Sequence, residues 1–212
     1  MLSFNDNNAH YLIVNSELTG SDTLKKNESG AIVLPFDGPV IYEVIRFING
    51  KGLFLEDHFR RLENSFQIEG IENPVDLAAF KEYASVLLSV NEERDCNVKI
   101  MSTGKDFVVY LSKKFYPGPA YYEKGIRTAC IQIERPSPNA KIRRSDYIER
   151  IETFKQANEI FEALLMNAEG YLTEGSKSNL FFVRRGEPDA VYTAPREMVL
   201  EGIMRQLSLI HI

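Results

Sequence analysis

The sequence predicts an α+β protein in two domains, and three observations carry that prediction. Strand-rich stretches with one or two helices each occupy both halves of the 212 residues. Strands and helices do not alternate regularly, which argues against a doubly wound parallel sheet. Two prolines and two glycines crowd into the eleven residues "FYPGPAYYEKG", the strongest linker signal in the chain. We place the domain boundary there, giving one α+β domain over 1–118 and a second over 119–212.

Taken in order, "AHYLIVN" at residues 9–15 reads as the first strand and "GSDTLKKNESGAI" as a polar loop. In "VIYEVIRFINGKGLFLEDHF" two β-rich runs flank Asn49-Gly50, a strong hairpin signal. Leu55, Phe59, Leu62 and Phe66 then recur at helical spacing, so "LEDHFRRLENSF" is an amphipathic helix. A second helix is expected over "PVDLAAFKEYASVLLSV", with Pro74 near its start. "NVKIMST" and "FVVYLSKKF" read as strands turned by Gly104-Lys105. Past the linker, "IRTACIQIE" is a strand, "RPSPNAKIRR" a loop, and "SDYIERIETFKQANEIF" a helix with Ser145 or Asp146 as N-cap. "EALLMN", "YLTE", "NLFFV" and "AVYTA" are strands, and a last helix starts near Gly202.

Composition excludes several classes. The chain is 44% hydrophobic and 26% charged, as in ordinary globular proteins. A net charge of -5 argues against a nonspecific nucleic-acid footprint, which needs a basic surface. Cys96 and Cys130 form no C-x-x-C motif, and a reduced, cytoplasmic setting is the simpler expectation. The N-terminus carries neither basic leader nor long apolar core, so neither a signal peptide nor a membrane span is expected. His10, His58 and His211 have no metal-ligand spacing, and no metal site is expected. No G-x-G-x-x-G, Walker-type loop or G-x-S-x-G appears.

The candidate chemistry lies in charged residues that, alone, read as solvated surface groups. Lys141 follows "RPSPNA". Its functional reading is a Schiff-base amine, which must be held partly desolvated against a carbonyl. Glu174 interrupts the strand-like "GYLTEGSKSNLFFV". Its bland reading is a turn-side acid facing water. Its functional reading is a buried carboxylate gripping a cation such as a protonated pyridine nitrogen. Arg61, in "HFRRL", has the fork geometry that suits phosphate oxygens. His58, one turn before Leu62, reads as a packed histidine. In "LEGIMR" a glycine precedes a helix whose free N–H groups could bind phosphate.

The order of these segments is more informative than any one of them. "YEVIRFINGKGLFLEDHFRRL", then Lys141, then "EALLMNAEGYLTEGSKSNLFFV", then "VLEGIMR" resembles the class IV aminotransferases, the fold-type-IV pyridoxal-phosphate enzymes. That family includes branched-chain and D-amino-acid aminotransferases and 4-amino-4-deoxychorismate lyase. The resemblance covers nearly the whole chain, and "EGSKSNLFFV" and "HFRRL" are its specific parts.

The resemblance implies a two-domain, D-amino-acid-aminotransferase-like α+β fold and pyridoxal 5'-phosphate as cofactor. Lys141 would hold the cofactor covalently and, once freed, move the substrate's α-proton. Glu174 would bind the pyridine nitrogen. Arg61 and the backbone of Ile203 and Met204 would bind the phosphate, and Asn179 would brace the loop carrying Glu174. Tyr42 would face the substrate, with Arg46 near the same wall. The implied partners are amino acids, 2-oxo acids and a second copy of the chain, since members are usually homodimers. The implied reaction is transfer of an amino group from an amino acid to a 2-oxo acid, to which "YEV" at Tyr42 to Val44 inclines. The alternatives are β-elimination releasing pyruvate and a shortened, non-catalytic homologue. The sequence departs from the pattern in three places. Met204 stands where a threonine is usual, no Arg-x-His pair occurs in 97–115, and the sequence ends at "SLIHI", where members usually continue, so a C-terminal domain shorter than the family's is expected.

Overall fold

Four short strands open the chain: β1 (Leu2–Phe4), β2 (Tyr11–Val14), β3 (Glu17–Gly20) and β4 (Ile32–Leu34). The computed structural model describes residues 1–212. The long strand β5 (Val40–Ile48) turns at Asn49-Gly50 into β6 (Lys51–Gly52). Both turn residues have positive φ, 51° and 77°, as a tight two-residue hairpin demands. Helix α1 (Leu55–Glu69) follows, and its periodic Leu55, Phe59, Leu62 and Phe66 are all buried. Helix α2 (Leu77–Val90) begins three residues after Pro74, because the Asp76 carboxylate accepts the Ala79 N–H at 2.7 Å and caps it there. Strands β7 (Cys96–Ser102) and β8 (Phe107–Ser112) complete this run.

The chain then forms α3 (Pro119–Lys124) and β9 (Thr128–Gln132), followed by the two-residue β10 (Ile142–Arg143). The expected linker is thus partly helical, with proline at a position in the first turn where its missing N–H costs nothing. Next come α4 (Ser145–Ala157), β11 (Glu162–Met166), β12 (Leu172–Gly175), β13 (Phe182–Arg184), β14 (Glu187–Tyr192) and α5 (Ile203–His211). Arg144, not Ser145 or Asp146, precedes the first turn of α4. Arg144 is still extended, at φ −111° and ψ 108°, and Ser145 is already helical, so both expected caps fall inside the helix.

Two units result: Met1–Phe115 with Ala140–Arg143, and Tyr116–Asn139 with Arg144–Ile212. The first is built on an antiparallel sheet of order β10-β5-β7-β8-β2-β3, with β6 beside β5. Strand β8 is buried along its whole length because both faces of the sheet are covered. Phe107, Val109 and Leu111 pack with Phe59, Leu62 and Phe80 of the two helices. Val108 and Tyr110 pack on the opposite face with Leu2, Phe4, Ile32 and Leu34 of β1 and β4. The second unit contains a three-stranded sheet, β12-β11-β9, and a separate β13–β14 hairpin. Strands β9 and β11 run parallel and are joined across α4, which supplies Tyr147 and Ile151 to a small core with Ile133, Ala163 and Leu165.

Candidate active site

In the first unit, alternation along β5 sorts the side chains. Ile41, Glu43, Ile45 and Phe47 are buried on the helix side, while Tyr42, Val44 and Arg46 are half-buried on the other face. Glu43 is therefore a carboxylate in a core register, with no exposed surface. A buried charge needs partners, and α1 supplies them. Arg61 donates from Nε and Nη2 to the two Glu43 oxygens at 2.9 and 2.7 Å. His58 Nδ1 lies 3.2 Å from Oε1. Burial pushes the Glu43 carboxyl up, but the neighbouring His58 and the charges of Arg61 and Lys141 outweigh it and hold the group down to about 2.

Lys141 is tied to this unit through its backbone. Its N–H donates to the Ser65 hydroxyl at 3.0 Å, and its carbonyl accepts the Tyr42 N–H at 3.1 Å. Ser65, itself fully buried, donates in turn to the Arg61 carbonyl at 2.8 Å. The Lys141 ammonium sits 4.8 Å from the centre of the Tyr42 ring. Lys141, Tyr42, Glu43, Arg61 and His58 thus form one connected cluster, and Arg46 shares the β5 face with Tyr42.

In the second unit Glu174, 2% exposed, lies in β12. Its Oε1 accepts from Arg135 Nε at 2.5 Å and its Oε2 from the Leu200 N–H at 3.1 Å. Arg135 also lies over the Tyr147 ring, 5.4 Å from its centre. Asn179 donates to the Leu200 carbonyl at 2.9 Å, so the segments 174–179 and 199–202 are joined at two points.

A third buried acid fixes the same loop. Glu162, on β11, accepts the Lys177 N–H at 2.9 Å and the hydroxyls of Ser178 and Ser176 at 3.0 and 3.2 Å. Gly175 and Gly202 are required by this packing. A methyl group at 175 would collide with Ser178 Oγ and Glu162 Oε1, and one at 202 with Asn179 Oδ1. Gly202 precedes α5 with no side-chain cap, so the first-turn N–H groups of Ile203 and Met204 have no cap acceptor. The Met204 side chain is 66% exposed and adds no polar contact there.

Sequence reading missed Glu43, Ser65, Arg135 and Glu162. Glu43 left a signal, since it occupies the apolar register Ile41-x-Glu43-x-Ile45 of a predicted strand. The other three are ordinary in their local sequence and are recognisable only through what they touch.

The residues suit pyridoxal phosphate by type. An amine is held beside an aromatic ring, a buried carboxylate is ion-paired with a guanidinium, and a helix start has no side-chain cap. A family model for amino-transferase class IV matches residues 40–211. A probable branched-chain-amino-acid aminotransferase from Rickettsia bellii is 25% identical over 97% of this chain and 75% of its own length. An aminodeoxychorismate lyase from Bacillus subtilis is 23% identical over 84% of this chain and 68% of its own. Among solved structures, the Escherichia coli branched-chain amino acid aminotransferase superposes with a TM-score of 0.76 at 19% identity, covering 95% of this chain and 73% of that one. The branched-chain aminotransferase of the archaeon Thermoproteus uzoniensis, solved with norvaline, gives 0.71 at 22% identity, over 96% and 74%. The chain shares the fold of these enzymes, and with four-fifths of its length inside the family model it belongs to the class IV aminotransferases.

Proposed function

We propose that the chain is a pyridoxal-phosphate-dependent aminotransferase that moves an amino group between an amino acid and a 2-oxo acid. The observation that carries the reading is the placement of Lys141. It is pinned at both backbone polar groups, and its amine lies against the Tyr42 ring, unlike a lysine trailing in solvent. When bound, the cofactor supplies a carbonyl for covalent attachment and an electron sink for the substrate's α-carbon. Lys141 would carry that attachment, and its free amine would move the α-proton. Glu174 would meet the pyridine nitrogen of a bound cofactor, and Arg135 orients its carboxylate. The first-turn N–H groups of Ile203 and Met204 would offer donors to a phosphate, and Arg61 would be a further candidate for that role. Glu43 fixes the plane of Arg61, Asn179 fixes the loop of Glu174, and Tyr42 and Arg46 border the substrate.

Similarity to the Bacillus subtilis lyase supports a second reading, in which the same lysine starts a β-elimination that releases pyruvate. Pyruvate formed from aminodeoxychorismate without any 2-oxo acid acceptor identifies that reaction. The first test is borohydride reduction after incubation with pyridoxal phosphate, followed by peptide mapping. The label is expected on Lys141, and Lys141→Ala is expected to be colourless. A colourless wild-type protein, or a label on another lysine, refutes the proposal.

A further inference from the structure

Lys141 lies just before β10, and its N–H finds an acceptor on a helix rather than on a strand. That acceptor is the Ser65 hydroxyl, at 3.0 Å. Ser65 follows Arg61 by one turn of α1 and has no exposed surface. A hydroxyl carries one proton and two acceptor lone pairs. Here the proton goes back along the helix to the Arg61 carbonyl, at 2.8 Å. The oxygen is left to accept, so the direction of both bonds is fixed.

The two bonds belong to a closed ring. From Ser65 it passes to Lys141, whose carbonyl accepts the Tyr42 N–H at 3.1 Å. Tyr42 adjoins Glu43 on β5, Glu43 holds the Arg61 guanidinium with both oxygens, and Arg61 leads back to Ser65 along α1. The neighbours of Lys141 are fastened as well. Ala140 and Ile142 pack in the same core as Phe59, Leu62 and Phe66 of α1. Ile142 and Arg143 pair with Ile41 and Val40. Of the two hydrogen bonds on the Lys141 backbone, only the one to Ser65 depends on a side chain.

We propose that Ser65 is a positioning residue for the Lys141 amine. Its hydroxyl fixes the backbone from which that side chain extends to the Tyr42 ring, and it acts through Lys141 without touching cofactor or substrate. The inference rests on the proposed function, in which Lys141 carries the cofactor. Joining the amine to an aldehyde expels the carbonyl oxygen as water, and the yield depends on how closely the amine is held to the reacting position. Alanine at 65 leaves the Lys141 N–H without its acceptor, and an unsatisfied buried donor is costly. The segment then relaxes, and the amine starts from several positions instead of one.

The test separates covalent from non-covalent binding. Pyridoxal 5'-phosphate can form the bond to Lys141. Pyridoxine 5'-phosphate has the same ring and phosphate but an alcohol in place of the aldehyde, so it cannot. The full chain, freed of bound cofactor, is titrated with each by calorimetry. Ser65→Ala is expected to weaken pyridoxal phosphate by about tenfold, the size of one lost hydrogen bond to a buried amide, and pyridoxine phosphate by less than about twofold. Ser65→Thr keeps the hydroxyl and is expected to restore the wild-type preference, whereas Ser65→Val, of the same shape, is not. In a Lys141→Ala background, Ser65→Ala should change neither affinity by more than about twofold, because nothing remains for it to position. Equal weakening of both ligands, rescue by valine as well as threonine, or a Ser65→Ala effect that persists without Lys141 overturns the inference. If the branched variants do not fold, Ser65→Ala in the two Lys141 backgrounds carries the test alone. Absence of label on Lys141 in the wild-type borohydride experiment is a separate result that counts against the proposed function itself. Equal weakening in a protein still labelled on Lys141 counts against Ser65 alone.

Discussion

Glu43 shows how a single residue can be both a liability and a fixture. Strand alternation forces it into the core, where an unpaired carboxylate would be costly. Arg61 and His58 offset that cost, and the result is a guanidinium with one orientation. Glu43→Gln leaves Arg61 buried beside a neutral amide, so we expect a loss of roughly 3 kcal/mol in urea unfolding at neutral pH. The pH dependence has a definite sign. The folded carboxyl titrates near 2, below its ordinary 4.5. Its contribution is therefore complete above about 4.5 and is lost as pH falls toward 2. The acid limb of the wild-type stability curve should be steeper than that of Glu43→Gln. Parallel limbs would show that Glu43 is not held ionised. Of this cluster, the sequence singled out Lys141, Arg61 and Tyr42 as candidates. Glu43 was legible only as an acid in an apolar register, and Ser65 not at all, because a serine on a helix declares nothing until a distant backbone N–H reaches it.

At the scale of elements, local rules served well where the determinants were local. Asn49-Gly50 specifies its own turn, and the α1 periodicity specifies its own buried face. The rules failed where pairing partners are remote. Strand β10 is two residues long and exists because β5 offers an edge to it. Strands β1 and β4 similarly depend on each other. The segments 174–179 and 199–202 belong to the same class, since their geometry comes from Glu162, Asn179 and Glu174 reaching across. Gly202→Ala tests that stitching. The added methyl must push Asn179 aside, breaking its bond to Leu200 and shifting the start of α5. Overpacking of this kind costs about 1–3 kcal/mol. We expect pyridoxal phosphate affinity to drop by about tenfold or more in an absorbance titration, with far-ultraviolet circular dichroism retained. Undiminished affinity would remove the α5 N-terminus from the proposed phosphate site.

For the molecule as a whole, the two units differ in how much apolar surface each encloses. The first covers both faces of its sheet, and β7 and β8 are buried almost throughout. The second has a core of a few side chains and leaves Tyr171, Val183, Val191 and Tyr192 partly or largely exposed. Its β13–β14 hairpin is exposed along nearly every residue. A two-stranded hairpin with so little packed against it is marginal alone. Opening free energies track such differences, so native-state hydrogen exchange should resolve them. At low micromolar concentration, amides of β13 and β14 are expected to exchange at least about a hundredfold faster than those of β5, β7 and β8. The same experiment bears on the expected homodimer. Contiguous exposed apolar residues are what a partner surface covers, and protection gained by binding rises with concentration. If the hairpin amides slow as the protein is concentrated while the β7 amides do not, a second copy covers this hairpin. Slow, concentration-independent exchange in β13 and β14 would instead show that the hairpin is stabilised within the single chain.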